Sequence, residues 1–279
     1  MAESLADWLA LREAADAAAR SVALTHALVE ALPRERPLRI LDLGTGTGSN
    51  VRYLAPRLPL RQEWLVVDRD PDLLALIPHR MSISTATERL HIVTRQMNLG
   101  ALDEPDIFTG RHLVTASALL DLVSEDWLTS LAERCREAGA AVLFALSYVG
   151  RSRCSPEEPV DEEIRELMNR HQRTNDKGFG RAAGPDAVDC AERAFEAAGY
   201  FVRRDASDWV LTPDAPDLQR QVVEGWAQAA REIAPERSAT IDDWLRRRLA
   251  HVDEDRSRIV VCHEDFIAWL GGPERAALG

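Results

Sequence analysis

Residues Ile40-Leu41-Asp42-Leu43-Gly44-Thr45-Gly46-Thr47-Gly48-Ser49-Asn50 join an apolar strand to a loop with glycine at every second position, and an amphipathic helix follows. Glycine belongs where a strand turns sharply into a helix and a ligand lies against bare backbone, because a Cβ would block both the turn and the approach. The spacing is G-x-G-x-G. Ser49 stands where a dinucleotide loop would carry its third glycine.

Working outward, apolar runs predict strands at 38–43, 63–68, 90–97, 112–116, 140–147, 200–206 and 258–263. Between them, helical spacing predicts one or two helices over 3–32, a helix after the glycine loop stopped by Pro59, and one from Pro71 ending before Pro78. Further helices are expected at 124–137, 160–173 and 184–198, and two more within 213–255. Strands alternating with helices imply a doubly wound α/β sheet. Two stretches exceed a minimal alternation and read as helical inserts, 150–183 and 213–257, within a main domain of 38–279 preceded by N-terminal helices over 1–37.

The 279 residues are 46% hydrophobic and 29% charged, ordinary for a globular protein. A net charge of −12 disfavours nucleic acid and favours a small-molecule partner. Four scattered cysteines form no C-x-x-C and no cluster at metal-ligand spacing, so free thiols and no metal are expected. Without a signal-type or membrane-spanning apolar run, a cytoplasmic location and no membrane partner are expected.

With Asp42 two residues before the first glycine, the segment resembles motif I of class I S-adenosylmethionine-dependent methyltransferases. The resemblance implies a Rossmann-like, seven-stranded, mostly parallel sheet with an antiparallel edge hairpin and helical inserts. It implies S-adenosyl-L-methionine as cofactor, its amino-acid end held by Asp42, Gly44, Thr45, Gly46, Gly48 and Asn50. A carboxylate ending the second strand accepts hydrogen bonds from ribose hydroxyls in methyltransferases and dinucleotide enzymes alike, which selects Asp68 and leaves Asp70 to cap the next helix. Asn98 falls where the family meets the adenine amine, although a turn residue leaving the strand would look the same. Ser117 fits against the cofactor after the fourth strand, and Asp121 is either a substrate ligand or a helix N-terminal charge.

No Asn/Asp-Pro-Pro-Tyr motif is present, against base-amine or glutamine-amide acceptors, and no Tyr-x-x-x-Lys pair marks a short-chain dehydrogenase. Acceptor-side residues should lie in the inserts. His171 follows Ile164, Leu167 and Met168 at helical spacing and is a candidate catalytic base or else a buried histidine bonded to backbone. Tyr148 is a second catalytic candidate or a strand-end aromatic. Arg173 and Lys177, beside a glycine-hinged loop, are candidate substrate ligands within a lid. Arg246-Arg247-Arg248 reads as a solvated face, and His263-Glu264-Asp265 as a turn. The expected function is methyl transfer to an oxygen or nitrogen of a small molecule; the alternatives are an NAD(P)-dependent oxidoreductase and a non-catalytic nucleotide-binding protein.

Overall fold

A computed structural model describes residues 4–33, 37–58, 61–82, 90–100, 102, 104–174 and 176–271. Its strands are β1 Leu38–Leu43, β2 Gln62–Asp68, β3 Leu90–Gln96, β4 Leu113–Ser117, β5 Ala141–Ser155, β6 Phe201–Ala206, β7 Trp209–Leu211 and β8 Arg258–Trp269. Its helices are α1 Leu5–Ala19, α2 Val22–Ala31, α3 Ser49–Leu54, α4 Pro71–Ser82, α5 Glu125–Ala138, α6 Asp161–Thr174, α7 Ala187–Ala197, α8 Pro216–Ile233 and α9 Ser238–Asp253.

The sheet order is β3-β2-β1-β4-β5-β8-β6, with β7 also pairing β8. The first five strands run parallel, and β8 lies antiparallel to β5, β6 and β7. Such an order, with an antiparallel strand wedged between the fifth and sixth, is the Rossmann-like class I methyltransferase fold. Both faces of the central strands are apolar because both are covered by helices. Leu41 and Leu43 of β1 pack with the α5 and α7 side chains, whereas Leu38 and Ile40 face α2, α3 and α4.

Among the described residues the sheet has eight strands, not seven. Ser207 and Asp208 break the edge beside β8, with Ser207 N–H donating to the His263 carbonyl and His263 N–H to Asp208 Oδ1, and β7 resumes the pairing beyond them. Three residues are too few to show periodicity. For a related reason β5 and β8 are far longer than expected: residues 152–155 pair with 258–261, so the 150–183 insert begins as strand and His263-Glu264-Asp265 is mid-strand, not a turn. This arm of β5, β8 and β7 carries a second apolar core, in which Tyr148, Cys154, Ile259 and Val261 pack with α6, α8 and α9.

Helix α4 runs through Pro78 to Ser82. Interior proline costs a helix about 3 kcal/mol, and here Ile77 and Met81 on either side are buried in the core under β1 and β2. The arginine run divides likewise. Arg246 is exposed, but Arg248 is 1% exposed and its guanidinium binds Asp161 and the Pro156 carbonyl, fastening α9 to the start of α6. All four cysteines are free thiols. Among the described residues no helix is long and apolar enough to cross a membrane.

Arg248→Ala takes the countercharge from Asp161, which keeps the Trp244 indole N–H and the Glu158 N–H, and removes the Arg248 donor from the Pro156 carbonyl; it should cost about 3 kcal/mol of unfolding free energy in urea titration. A loss below about 1 kcal/mol would class the pair with surface ion pairs.

Candidate functional site

The glycine loop leaves β1 with Gly44 at φ +62° and Gly46 at φ +55°, the left-handed region where a side chain is strained. A Cβ on Gly46 would lie 3.1 Å from Leu9 Cδ1, so α1 closes directly over the loop. Asp42, completely buried, accepts hydrogen bonds from Thr45 Oγ1 at 2.6 Å and Asn50 Nδ2 at 2.7 Å. Its carboxylate therefore braces the loop from behind and does not line the cavity. Burial pushes its pKa up to about 6, against smaller downward effects of Thr45, Asn50 and Arg20.

In front of the loop lies a cavity of about 570 Å³ lined by Gly44, Thr45, Gly46, Asn50, Asp68, Asn98 and Ser117 among others. Gly48 stands behind it, its N–H bonded to the Thr45 carbonyl. Asp68 takes the Gly46 N–H at 2.8 Å on Oδ2 and the Asp70 N–H at 3.0 Å on Oδ1, which sets the carboxylate at the cavity wall with lone pairs to spare. Asp70 caps α4 through the Asp72 N–H at 2.9 Å. Asn98 Oδ1 accepts the Gly100 N–H at 2.9 Å, so Asn98 is at once a turn residue and part of the cavity wall.

The opposite end belongs to residues that local pattern does not single out. Arg20, at the end of α1 and 5% exposed, donates from Nη1 to Asn50 Oδ1 at 2.9 Å and lies over the Tyr53 ring at 4.4 Å. Its Nε stands 3.4 Å from Asp265 Oδ2, and Nε and Nη2 have no hydrogen-bond partner. A side cavity of about 180 Å³ reaches Arg20 and shares Asp16, Ser49, Asn50 and Ser117 with the main one. Arg12, Asp16 and Arg20 recur every fourth residue, so one stripe of α1 faces the site. In sequence that spacing looks like an ordinary solvated stripe.

Beyond the loop the wall is apolar and aromatic, with Trp8, Tyr148, Trp209 and Trp226. The backbone is left-handed at Ala118 (φ +52°), after β4, and at Leu146 (φ +56°), within β5, and both residues line the cavity. Such conformations cost about 1–2 kcal/mol each and gather at functional sites. Asp121 also lines it, and burial pushes its pKa up to about 6, against smaller downward effects of its own backbone N–H, Arg12 and Lys177. The Tyr148 hydroxyl donates to Asn169 Oδ1 at 3.0 Å, and burial raises its pKa, so it keeps its proton at neutral pH.

His171 does not line the cavity. Its Nε2 is 2.7 Å from Glu232 of α8, because α6 turns that face toward α8 one turn beyond Met168. Arg173 is also outside, paired with Asp186 at 2.9 Å. Lys177 and Phe179 do line it. Their loop sits at the ends of β2 and β3, with Arg69 Nη1 donating to the Lys177 carbonyl at 3.2 Å and Phe179 packed edge-on against Trp127, so it covers the Asp68–Asn98 side.

No protein-family model and no curated protein sequence matches the chain. Among solved structures it is similar to the cyclopropane synthase MmaA2 of Mycobacterium tuberculosis, at 10% identity over 88% of this chain and 83% of that one, with a TM-score of 0.46. It is also similar to phosphoethanolamine N-methyltransferase 2 of Haemonchus contortus, at 13% identity over 97% of this chain and 59% of that one, TM-score 0.47. The [4+2]-cyclase SpnF is similar at 14% identity over 89% of this chain and 81% of that one, TM-score 0.42. At these scores the likeness carries no argument about chemistry.

The raised pKa of Asp121 has a definite sign. The fold favours the neutral acid, a contribution fully present below the unfolded value near 4 and lost as pH rises through about 6. Asparagine mimics that neutral form, so Asp121→Asn should stabilise the protein at pH 8 by about 1–3 kcal/mol and have little effect at pH 4. Equal changes at both pH values in urea titration would contradict it.

Proposed function

We propose that this chain transfers the methyl group of S-adenosyl-L-methionine to an oxygen or nitrogen of a small-molecule acceptor. The observation that carries it is a main cavity with a bare-backbone glycine loop and a carboxylate on its wall, joined through Asp16, Ser49, Asn50 and Ser117 to a side cavity that reaches a buried guanidinium. That pattern complements a molecule bearing a ribose diol at one end and a carboxylate at the other. Bound there, the cofactor would supply an electrophilic methyl carbon on a sulfonium.

Each end then has a defined role. Arg20, which lines the side cavity, would pair with the carboxylate in a charge-assisted contact. Asp68 would accept the ribose hydroxyls and Asn98 the adenine amine. Gly44 and Gly46 let the ligand approach the main chain, while Ser117 and Ala118 keep the centre of the cavity narrow. The aromatic wall holds the acceptor and excludes water. Asp121 is the carboxylate placed to take a proton from an acceptor O–H or N–H, its pKa near 6 suiting a general base at neutral pH. His171, held by Glu232 outside the cavity, has no part in this account.

Calorimetry tests the reading directly. S-adenosylhomocysteine should bind, and NADH and NADPH should not. Asp68→Ala should cost about 1.5–3 kcal/mol of that affinity, the range for a hydrogen bond to a charged acceptor. Affinity within twofold of wild type would remove Asp68 from the ribose site. Binding of a nicotinamide dinucleotide in preference would overturn the assignment altogether.

A further inference from the structure

Four carboxylates line the main cavity, and three of them are already answered by the protein. Asp16 is paired with Arg12, while Asp68 and Asp70 accept main-chain N–H groups. Asp121 differs. It is 9% exposed, and its side-chain partner is Gln172, whose Nε2 stands at a long 3.4 Å from Oδ2. Arg12 and Lys177 act on it through their fields without forming an ion pair. Arg12 is committed to Asp16, and Lys177 belongs to the loop over the Asp68–Asn98 side, as does its neighbour Arg69. Asp121 Oδ1 takes no hydrogen bond from another residue and, unlike Arg20 Nε, is not sealed in protein, so it opens onto the cavity. Burial lifts the pKa only to about 6, which leaves the group mostly ionised at neutral pH. A negative charge thus stands in a desolvated wall without a counterion, a costly arrangement until a ligand supplies one.

The rings beside it favour the same sign of ligand. Trp209 and Trp8 already have a cation, with Arg12 at 4.9 Å and 5.8 Å from their ring centroids. Tyr148 and the half-buried Trp226 line the same cavity, and among the described residues no cation lies over either ring. Tyr148 is close enough to Asp121 for the carboxylate to help raise its pKa, and its hydroxyl is spent on Asn169, so what it offers a ligand is its ring. His263, its cross-strand neighbour, also lines the cavity but is neutral, because burial drives its pKa down to about 3. An ammonium group brings the missing positive charge, N–H donors for the open carboxylate oxygen, and attraction to the unclaimed ring faces. A neutral hydroxyl brings the donor without the charge.

We propose that the acceptor is a primary or secondary amine, bound as its ammonium ion by Asp121 with an apolar stem against Tyr148 and Trp226. An ammonium nitrogen has no lone pair, so it must shed a proton before it can attack. The Asp121 carboxylate takes that proton, and the freed lone pair bonds to the methyl carbon as the carbon–sulfur bond breaks. The bonding pair leaves on neutral sulfur, and the methylated nitrogen carries the positive charge. This deepens the methyl-transfer reading and rests on the same cavity holding the sulfonium cofactor.

Binding separates the two. With S-adenosylhomocysteine saturating the protein at neutral pH, NMR competition should rank benzylammonium at least about tenfold tighter than its neutral isostere benzyl alcohol, with benzoate weakest. Asp121→Asn, which keeps the shape and removes the charge, should abolish that preference and leave S-adenosylhomocysteine affinity unchanged, and Asp121→Glu should restore part of it. Trp226→Leu should lower the preference severalfold. Benzyl alcohol binding as well as benzylammonium to wild type, failure of benzylammonium to bind, or a preference unchanged in Asp121→Asn or in Trp226→Leu would each overturn the proposal. Wild-type protein that fails to bind S-adenosylhomocysteine would instead defeat the cofactor assignment on which it rests.

Discussion

The glycine loop, β4 and the N-terminal corner of the candidate site are tied, directly or through one intermediary, to a buried carboxylate near the end of β1. Asp42 fixes Thr45 and Asn50, and Asn50 passes the constraint on through Thr115 Oγ1 at 3.0 Å to β4 and through Arg20 to the N-terminal helices. Across the sheet Asp265, wholly buried in β8, does the matching work. It accepts the Ser21 N–H and the Leu146 N–H, each at 2.9 Å, and faces Arg20. Two buried carboxylates and one buried guanidinium thus join β1, β4, β5, β8 and the α1–α2 corner. Removing charges from water is costly, and such a set is tolerable only when nearly every lone pair is used. Each carboxylate oxygen has a donor, whereas Arg20 Nε and Nη2, enclosed by protein, have no hydrogen-bond partner.

The site also spends stability on geometry. Leu146 is held left-handed at the point where Asp265 grips its N–H, and Ala118, whose N–H bonds the Ala145 carbonyl at 2.9 Å, is left-handed just past the adjoining strand. Together with the desolvated Asp121 these features work against folding, and the apolar cores on the two sheet faces and under the cap offset them. Helix α1 links the parts: Glu13 pairs with Arg52 beside the glycine loop at 2.7 Å, while Trp8 packs on Trp209 in the cap.

Local pattern carried the fold and put several of the residues it singled out on the cavity wall. β1 matches its predicted bounds, and Asp68, Asn98 and Ser117 fall on the cavity wall because each sits at the carboxyl end of a strand, where open parallel sheets bind ligands. What escaped depends on partners far away in the chain. Arg248 reads as surface until Asp161, 87 residues distant, is brought to it, and Arg20 reads as surface until Asn50 and Asp265 enclose it. His263 looked like a turn because the strand around it is held by β5 and β7, not by its own composition. His171 misled for the opposite reason: its spacing was helical and partly apolar, but the face it shares ends against Glu232.

A crystal structure of the complex with S-adenosylhomocysteine tests the central claim most directly, that the loop braced by Asp42 presents its cavity between Arg20 and Asp68. The account places the ligand's amino-acid carboxylate within hydrogen-bond distance of the Arg20 guanidinium, its ribose hydroxyls on Asp68, and its sulfur toward the Tyr148–His263 wall. A ligand lying across the glycine loop with its carboxylate remote from Arg20, or one bound elsewhere on the sheet, would contradict it.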